Sequence, residues 1–290
     1  MDIVYLASAV TLPGSPTRRS DAYEHDQMMD ALEGPLASEG LGLSAVRWDA
    51  EGVDWSRYGA AIIGTTWDYW DRQEQFLSTL EGIERQTRLL NPSKLVRWNS
   101  HKGYLRDLAA QGARTISTLW VDHPTEEAVA TGFETLGSAD VVWKRQVGAG
   151  AAGQHRLTPG DPVPDMPHAM MAQPFLPAIQ TEGELSFIFI DGAFCHALMK
   201  RAAEGDYRIQ SSYGGAETAV DPSADDLAAA KSILGLLDAP PLYARVDMLR
   251  ADDGGLLLME LELIEPFLYP LQGPDLGPRM AAALERRLKR

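Results

Sequence analysis

The chain has 290 residues, of which 45% are hydrophobic and 23% are charged. That composition is typical of a globular protein, and the length suits about two domains. The net charge of −15 argues against nucleic acid and anionic membranes as partners, because both require a basic face. Cys195 is the only cysteine, which excludes an internal disulfide. With no signal-like N-terminus and no long apolar run, we expect a cytoplasmic protein.

Residues 1–95 alternate between strand and helix patterns. Strands are predicted within residues 2–8, 43–49, 59–66 and 88–91. Helices are predicted within residues 21–40 and 71–86. This alternation predicts a mostly parallel sheet with helices on its faces.

The remainder of the chain predicts mixed α+β structure. Asn99 or Ser100 is expected to cap a helix that ends at Gly112. Strands are predicted within residues 115–121, 140–147, 169–176, 184–192 and 193–201, with loops at 148–167. Asp191-Gly192 is the turn signal of a hairpin between the last two. Further helices are predicted within residues 125–137, 222–239 and 276–290.

Two apolar strands, "YARVDML" and "LLLMELEL", flank the turn sequence "RADDGG". A two-residue turn at Asp253-Gly254 would place Asp247 opposite Glu260 and Arg245 opposite Glu262, on one face. Ala244, Val246, Met248, Met259, Leu261 and Leu263 would form the core face. Opposed carboxylates repel, and a divalent cation, Mg²⁺ or Mn²⁺, would resolve the conflict. A solvated face with a surface ion pair is the alternative, and Glu265 is expected outside the metal ligands.

A glycine-rich segment follows a strand that carries Lys144. Gly148, Gly150 and Gly153 formally match the dinucleotide fingerprint GxGxxG. That fingerprint needs a helix to begin at the loop, and "HRLTPGDPVPDMP" does not suit one, which counts against a nicotinamide oxidoreductase. The loop could instead cover phosphates with its backbone N–H groups, with Lys144 as a point charge, or be a plain surface loop.

In this order, the features resemble the ATP-grasp superfamily of carboxylate–amine ligases, which includes glutathione synthetase, ribosomal-protein glutamate ligases and D-alanine–D-alanine ligase. The resemblance implies a pre-ATP-grasp domain at 1–95 and two α+β lobes at 96–175 and 176–290. It also implies that Asp247, Glu260 and Glu262 bind the Mg²⁺ of Mg-ATP and that Arg245 faces the oxyanion. Glu262 stands where the family usually has Asn.

The resemblance assigns further residues on shorter motifs. It implies that the nucleotide-binding residues are Lys102, Lys144, Gly148, Gly150, Gly153, Gln173, Pro174, Phe175, Glu184 and Lys200. Among them, Gln173, Pro174 and Phe175 would line the adenine pocket and Glu184 would bind the ribose. The stretch 200–215 resembles a glutamate-ligase segment, in which Arg208 would act on the phosphate side and Gly214 and Gly215 on the substrate.

"GTTWDY", together with "MELELIEP", resembles a small ATP-grasp group that includes the cyclo-ligase of D-cycloserine biosynthesis. There Asp68 and Tyr69 would hold an amino-acid substrate at the edge of the parallel sheet, although the neighbouring Trp67 and Trp70 are also typical of core packing. The implied reaction makes an acylphosphate and ADP from ATP, and an amine then expels phosphate. A silent Mg-ATP-binding module and a peptide or protein glutamate-type ligase are the alternatives. A homodimer is left open.

Overall fold

The computed structural model describes residues 1–203, 205–209 and 214–289. Its first sheet is parallel, with strand order β2-β1-β3-β4. The elements of this first unit are β1 Asp2–Ala7, α1 Tyr23–Ser38, β2 Gly42–Arg47, β3 Ala60–Ile63, α2 Gln73–Glu84 and β4 Arg88–Leu90. The strands are short, and the two central ones, β1 and β3, are almost fully buried, as expected for a parallel sheet covered by helices, whereas the edge strands β2 and β4 are partly exposed. The predicted alternation of strands and helices is confirmed.

Two short helices follow, α3 Ser93–Asn99 and α4 Tyr104–Ala110. The prediction that Asn99 or Ser100 caps a helix was therefore wrong, because both residues lie at the end of α3. The Asn99 amide instead donates to Leu261 O at 2.8 Å and accepts from Leu263 N at 3.0 Å. Hydrogen bonds to Leu261 and Leu263, which are distant in the sequence, thus replace the local helix cap that the sequence suggested.

The second sheet is antiparallel and has the order β5-β8-β6-β7. Its elements are β5 Leu119–Val121, α5 Glu126–Leu136, β6 Val141–Arg145, β7 His155–Leu157 and β8 Met170–Pro174. Strand β7 lies in a stretch that was predicted to be a loop. It is only three residues long and pairs as an edge strand with β6, and so short a strand leaves little periodicity to detect.

The third sheet is antiparallel, with β9 at its centre, in the order β11-β10-β9-β12-β13. Its elements are α6 Ala178–Thr181, β9 Glu184–Ile190, β10 Ala193–Arg201, β11 Ala216–Val220, α7 Ala224–Leu234, β12 Tyr243–Arg250, β13 Leu256–Glu262 and α8 Leu276–Leu288. Asp191 and Gly192 both have positive φ, which fits the predicted hairpin turn. The edge strand β11 was not predicted. Each sheet comes from one of the three predicted domain ranges, whose boundaries stay predictions.

The C-terminal helix ties the end of the chain back to the first unit. A Cβ added to Gly277 in α8 would lie 2.0 Å from Ala31 O of α1, so only glycine permits this close approach. The buried amide of Asn91, just after β4, accepts from Leu242 N at 2.7 Å and donates to Leu263 O at 2.8 Å. These contacts fix the first unit against the β12–β13 hairpin.

Candidate active site

A cavity of about 240 Å³ opens where elements of all three sheets meet. Among the residues that the structure describes, seven basic and seven acidic side chains line it, so their formal charges cancel in a chain of net charge −15. The basic residues are Arg19, Lys102, Lys144, Arg145, Lys200, Arg208 and Arg245. The acidic residues are Asp21, Glu24, Glu184, Asp247, Glu260, Glu262 and Glu265. Basic side chains are therefore concentrated here relative to the rest of the molecule.

The β12–β13 hairpin places its polar residues as predicted, although the turn differs. Arg245 pairs with Glu262 and Asp247 with Glu260, as the sequence indicated. The turn itself is longer than two residues, because Ala251 N donates to Gly255 O at 2.8 Å. A β-bulge between these pairs and the Met248–Leu258 pair then restores the predicted register.

The bulge has a consequence for Met259, which was predicted on the core face. Leu258 rather than Met259 pairs with Met248, and Leu258 is fully buried in the core. Met259 is displaced to the other side, where it lines the cavity and packs near Leu249. The assignment of Met259 to the core face was therefore wrong, because the sequence pattern gave no sign of a bulge.

Arg245 holds two of the three hairpin carboxylates. Its Nε donates to Asp247 Oδ2 at 3.0 Å, and its Nη2 donates to Glu262. Burial raises the pKa of Glu262 to about 7, with further raising by Glu260 and Asp247 and an opposing effect of Arg245. The pKa of Asp247 is lowered overall, because Arg245 and Lys200 outweigh the effect of burial. The extra acid at position 262 is thus compensated within the hairpin.

A second buried ion pair joins β9 and β10. Lys200 Nζ contacts Glu184 and lies 3.5 Å from Asp247 Oδ1, and both Glu184 and Lys200 are almost fully buried. Burial raises the pKa of Glu184 to about 7 against the lowering effect of Lys200. The two residues were predicted to bind nucleotide separately, but the structure brings them together as one pair beneath the cavity.

Lys102 reaches the hairpin from the segment between α3 and α4. Its Nζ donates to Glu260, and its backbone N–H donates to Gln146 O at 2.8 Å. Burial lowers the pKa of Lys102, but pairing with Glu260 outweighs that effect and raises it overall. The Tyr104 hydroxyl accepts from Leu261 N at 2.9 Å and fastens α4 to the same strand.

Lys144, on β6, differs from the other lysines of the cavity. Within the described residues its ammonium group has no hydrogen-bond or ion-pair partner, although it lines the cavity. Burial lowers its pKa to about 8, with a further lowering by Lys102 and a partial opposing effect of Glu260. An uncompensated cation in a cavity fits an anionic ligand group.

The glycine-rich loop lies beside Lys144. Gly148, Gly150 and Gly153 all have positive φ, and Gly148 and Gly150 line the cavity. A Cβ on Gly153 would lie 3.1 Å from Arg145 Cδ, so the loop folds closely over that side chain. No helix begins at this loop, which agrees with the rejection of a dinucleotide fingerprint.

Gln173, Pro174 and Phe175 line the cavity as predicted for a base-binding wall. The Gln173 side chain donates to Thr118 Oγ1 at 3.0 Å, and the Phe175 backbone N–H is already bonded to Asp140 O at 2.8 Å. Arg156 stacks 3.4 Å above the Phe175 ring. This wall therefore combines the Phe175 ring and Pro174 with the polar side chain of Gln173, and its role in binding the base stays a prediction.

The structure describes only part of the predicted segment around residue 208. Arg208 lines the cavity and pairs with Asp206 at 2.8 Å. Gly214 has a φ of +80° and is exposed. Neither Gly214 nor Gly215 lines the cavity. Part of the predicted stretch, residues 204 and 210–213, lies outside the described residues.

The predicted substrate residues Asp68 and Tyr69 do not form the cavity wall. Asp68 accepts from Trp48 Nε1 and from Arg72 Nη2, both at 2.7 Å. Tyr69 is buried against Phe76, with ring centroids 4.8 Å apart. Local charge and packing thus occupy both side chains, and their neighbours in the same turn face the cavity instead.

Several cavity residues were missed from the sequence. Trp67 and Trp70 line the wall on the side of the first unit, and Glu265, Phe267 and Tyr269 line it after β13. Aromatic residues at strand ends resemble ordinary core residues, so the sequence did not distinguish them. Glu265 was discussed only as a metal ligand and set aside, although an acid in an apolar run was a usable signal.

The described residues contain neither a cluster of metal-binding side chains nor a membrane-spanning helix. Across the described parts of the chain, no group of three or more His, Cys, Asp or Glu side chains is gathered as a metal site. The hairpin carboxylates point to the cations Lys102 and Arg245 instead. Over the same described ranges, no helix is long and apolar enough to cross a membrane.

Comparisons with known proteins agree with this geometry. The model of the N-terminal domain of D-cycloserine synthetase DcsG matches residues 4–91. A crystal structure of D-cycloserine synthetase DcsG superposes with a TM-score of 0.84, 27% identity, and coverage of 99% of this chain and 100% of that one. D-alanine–D-alanine ligase from Bacillus anthracis has the same fold at 14% identity, with a TM-score of 0.69 and coverage of 100% of this chain and 97% of that one.

The fold and the cavity define an ATP-grasp carboxylate–amine ligase. The cycloserine biosynthesis protein DcsG of Streptomyces lavendulae is 32% identical over 287 residues, which cover 91% of this chain and 95% of that protein. The chain therefore belongs to the DcsG family of ATP-grasp ligases.

Proposed function

We propose that the chain uses Mg-ATP to activate the carboxylate of a small amino-acid-like substrate as an acylphosphate, and that an amine of the same molecule closes a ring. The observation that carries this proposal is the uncompensated Lys144 beside a glycine loop, in the cavity that also contains the hairpin carboxylates. The similarity to DcsG, a D-cycloserine synthetase, supports a cyclic product.

The residues present fit a magnesium nucleotide. Asp247, Glu260 and Glu262 offer an all-oxygen donor set, which suits Mg²⁺ or Mn²⁺. When bound, the metal neutralises charge on the transferring phosphate. Metal binding would require Glu260 to release Lys102 and Glu262 to divide its contacts between the metal and Arg245. Lys102 and Arg245 could then interact with the phosphates.

The chain's own residues would act by positioning and charge. Lys102, Lys144 and the backbone of the glycine loop would hold the phosphates, while Gln173, Pro174 and Phe175 would enclose the base. The Glu184–Lys200 pair would lie under the ribose and phosphates.

Arg245, fixed by Phe267 O at 3.1 Å, would stabilise the oxyanion together with Arg208. The substrate carboxylate attacks the γ-phosphorus and ADP leaves. The amine nitrogen then attacks the carbonyl carbon, phosphate leaves, and the nitrogen loses a proton. Because water would hydrolyse the acylphosphate, closure of the glycine loop would protect it.

The test is an ADP-release screen with Mg-ATP and a library of D- and L-amino acids and their derivatives, with products identified by mass. We expect ADP and phosphate to appear only with a suitable carboxylate, together with a product that has lost one water relative to its precursor or precursors. Mg-ATP binding without turnover would support the silent module, and activity only with peptides would support a peptide ligase. A cytoplasmic location belongs to the same proposal, and size-exclusion chromatography would show whether the protein is a monomer or a homodimer, which the sequence leaves open.

A further inference from the structure

Glu265 is the acidic counterpart of Lys144. It lines the cavity, and within the described residues no other side chain forms a hydrogen bond or ion pair with its carboxylate. Its backbone O accepts from Trp67 Nε1 at 3.3 Å, which fixes the residue against the first unit. A partly buried carboxylate without a cation is costly, so a ligand that supplies one gains binding energy.

Most basic groups of the cavity are paired with acids other than Glu265, and Arg145, which forms no ion pair within the described residues, lies against Gly148 and Gly153 of the glycine loop. Lys102 pairs with Glu260, Arg245 with Glu262 and Asp247, and Lys200 with Glu184. Arg19 pairs with Asp21 at 2.6 Å. The charges that act on Lys144 are Glu260, Lys102 and Glu184, and Glu265 is not among them. The charge of Lys102 also acts on Glu265, but burial together with Glu262 and Glu260 still holds the pKa of Glu265 well above its usual range, so a further cation would stabilise its carboxylate.

The surroundings of Glu265 favour an organic cation over a metal ion. Trp67, Trp70, Phe267 and Tyr269 line the same cavity, and aromatic faces attract ammonium groups. Arg19 already lies 5.6 Å from the ring centroid of Trp67 and Arg245 5.6 Å from that of Tyr269, whereas Trp70 and Phe267 have no such cation among the described residues. Nucleotides carry no cationic group, which leaves the second substrate of the reaction.

We propose that Glu265 binds a protonated amine of the substrate, which is an amino acid or a derivative that keeps its α-amino group. The inference rests on the proposed function. Glu265 lies three positions after Glu262, so their Cα atoms are at most about 11 Å apart, and an amine held at Glu265 leaves the carboxylate of the same small molecule within reach of the hairpin. Held as an ammonium ion, this nitrogen has no lone pair and does not act as the nucleophile.

The first test compares two isosteric substitutions. Glu265→Gln removes an unpaired carboxylate and should raise the melting temperature of the ligand-free enzyme by about 2–4 °C. Asp247→Asn removes a carboxylate that is paired with Arg245 and Lys200 and accepts from Ser186, and should lower it. A lower melting temperature for Glu265→Gln would assign Glu265 a structural role and overturn the proposal.

The second test measures binding by calorimetry in the presence of Mg-ADP. D-cycloserine and a panel of D- and L-amino acids are each compared with the analogue that lacks the amine, such as isoxazolidin-3-one for D-cycloserine. Wild type should prefer an amine over its deamino analogue by about 10–100-fold, and Glu265→Gln should lose that preference while Mg-ADP binding is unchanged.

Two outcomes would contradict the proposal: wild type that binds no amine better than its deamino analogue, or Glu265→Gln that retains the preference. Amine binding that depends on Glu265 without ADP release for any carboxylate would instead refute the proposed function and leave the role of Glu265 in place.

Discussion

Two ends of one cavity differ in how their charges are compensated. Along the β12–β13 hairpin, Asp247, Glu260 and Glu262 each contact a basic side chain. At the β6 end Lys144 has no acidic partner in the described residues, and after β13 Glu265 has no basic one. An ammonium group and a carboxylate that are both unpaired, at different places in one cavity, suit a pair of ligand groups, one anionic and one cationic.

Removal of the uncompensated cation should have the largest effect. Lys144→Met keeps the length and apolar stem of the side chain but loses the charge, so Mg-ADP should bind about 10–100-fold more weakly. Isothermal calorimetry measures the change, with Lys94→Met on the partly exposed surface of α3 as the control. Equal affinities of Lys144→Met and wild type would show that the leftover charge does not serve the phosphates.

The paired carboxylates of the β12–β13 hairpin are tested by the effect of Mg²⁺ on stabilisation by ADP. Glu260→Gln should fold, because Lys102 loses only one partner, but Mg²⁺ should no longer add to the stabilisation by ADP in a thermal shift assay. Wild type should show an added shift of several degrees at saturating Mg-ADP, on the order of 2–4 kcal/mol. An unchanged Mg-ADP shift in the variant would remove Glu260 from the metal ligands.

The contrast between paired and unpaired acids also predicts how stability changes with pH. Burial raises the pKa of Glu262 to about 7, so the folded protein binds more protons than the unfolded chain between about pH 4.5 and 7. Wild type therefore loses stability as pH rises through this range, and Glu262→Gln removes that contribution. Urea unfolding at pH 5 and pH 8 should give a smaller pH-dependent difference in the variant, and an equal difference would contradict the prediction.

The smallest effect concerns the titration of Lys144. Its pKa is lowered to about 8, so the ammonium form declines as pH rises through that value. ADP affinity should therefore weaken by a few fold between pH 7 and 9 in wild type. Lys144→Met should show no such component, and a pH-independent wild type would indicate that Lys144 remains charged or is not in contact with phosphate.

The sequence determined the elements that depend on local patterns. The alternation of strand and helix patterns specified the parallel sheet, and Asp191-Gly192 specified the β9–β10 hairpin of the third sheet, because these signals act between near neighbours. The opposition of Asp247 to Glu260 and of Arg245 to Glu262 was also accessible, since side-chain parity along two strands fixes a shared face. The order of the motifs was sufficient to identify the superfamily.

Only the tertiary structure decided how side chains divide their contacts. Asn99 bonds to β13 rather than capping a helix, Met259 leaves the core face at a bulge, and Asp68 is held by Trp48 and Arg72. Each outcome depends on a partner distant in sequence or on an added residue in a ladder, and local periodicity contains neither. The same reason explains Lys144 and Glu265, because a charge is unpaired only with respect to everything that surrounds it in space.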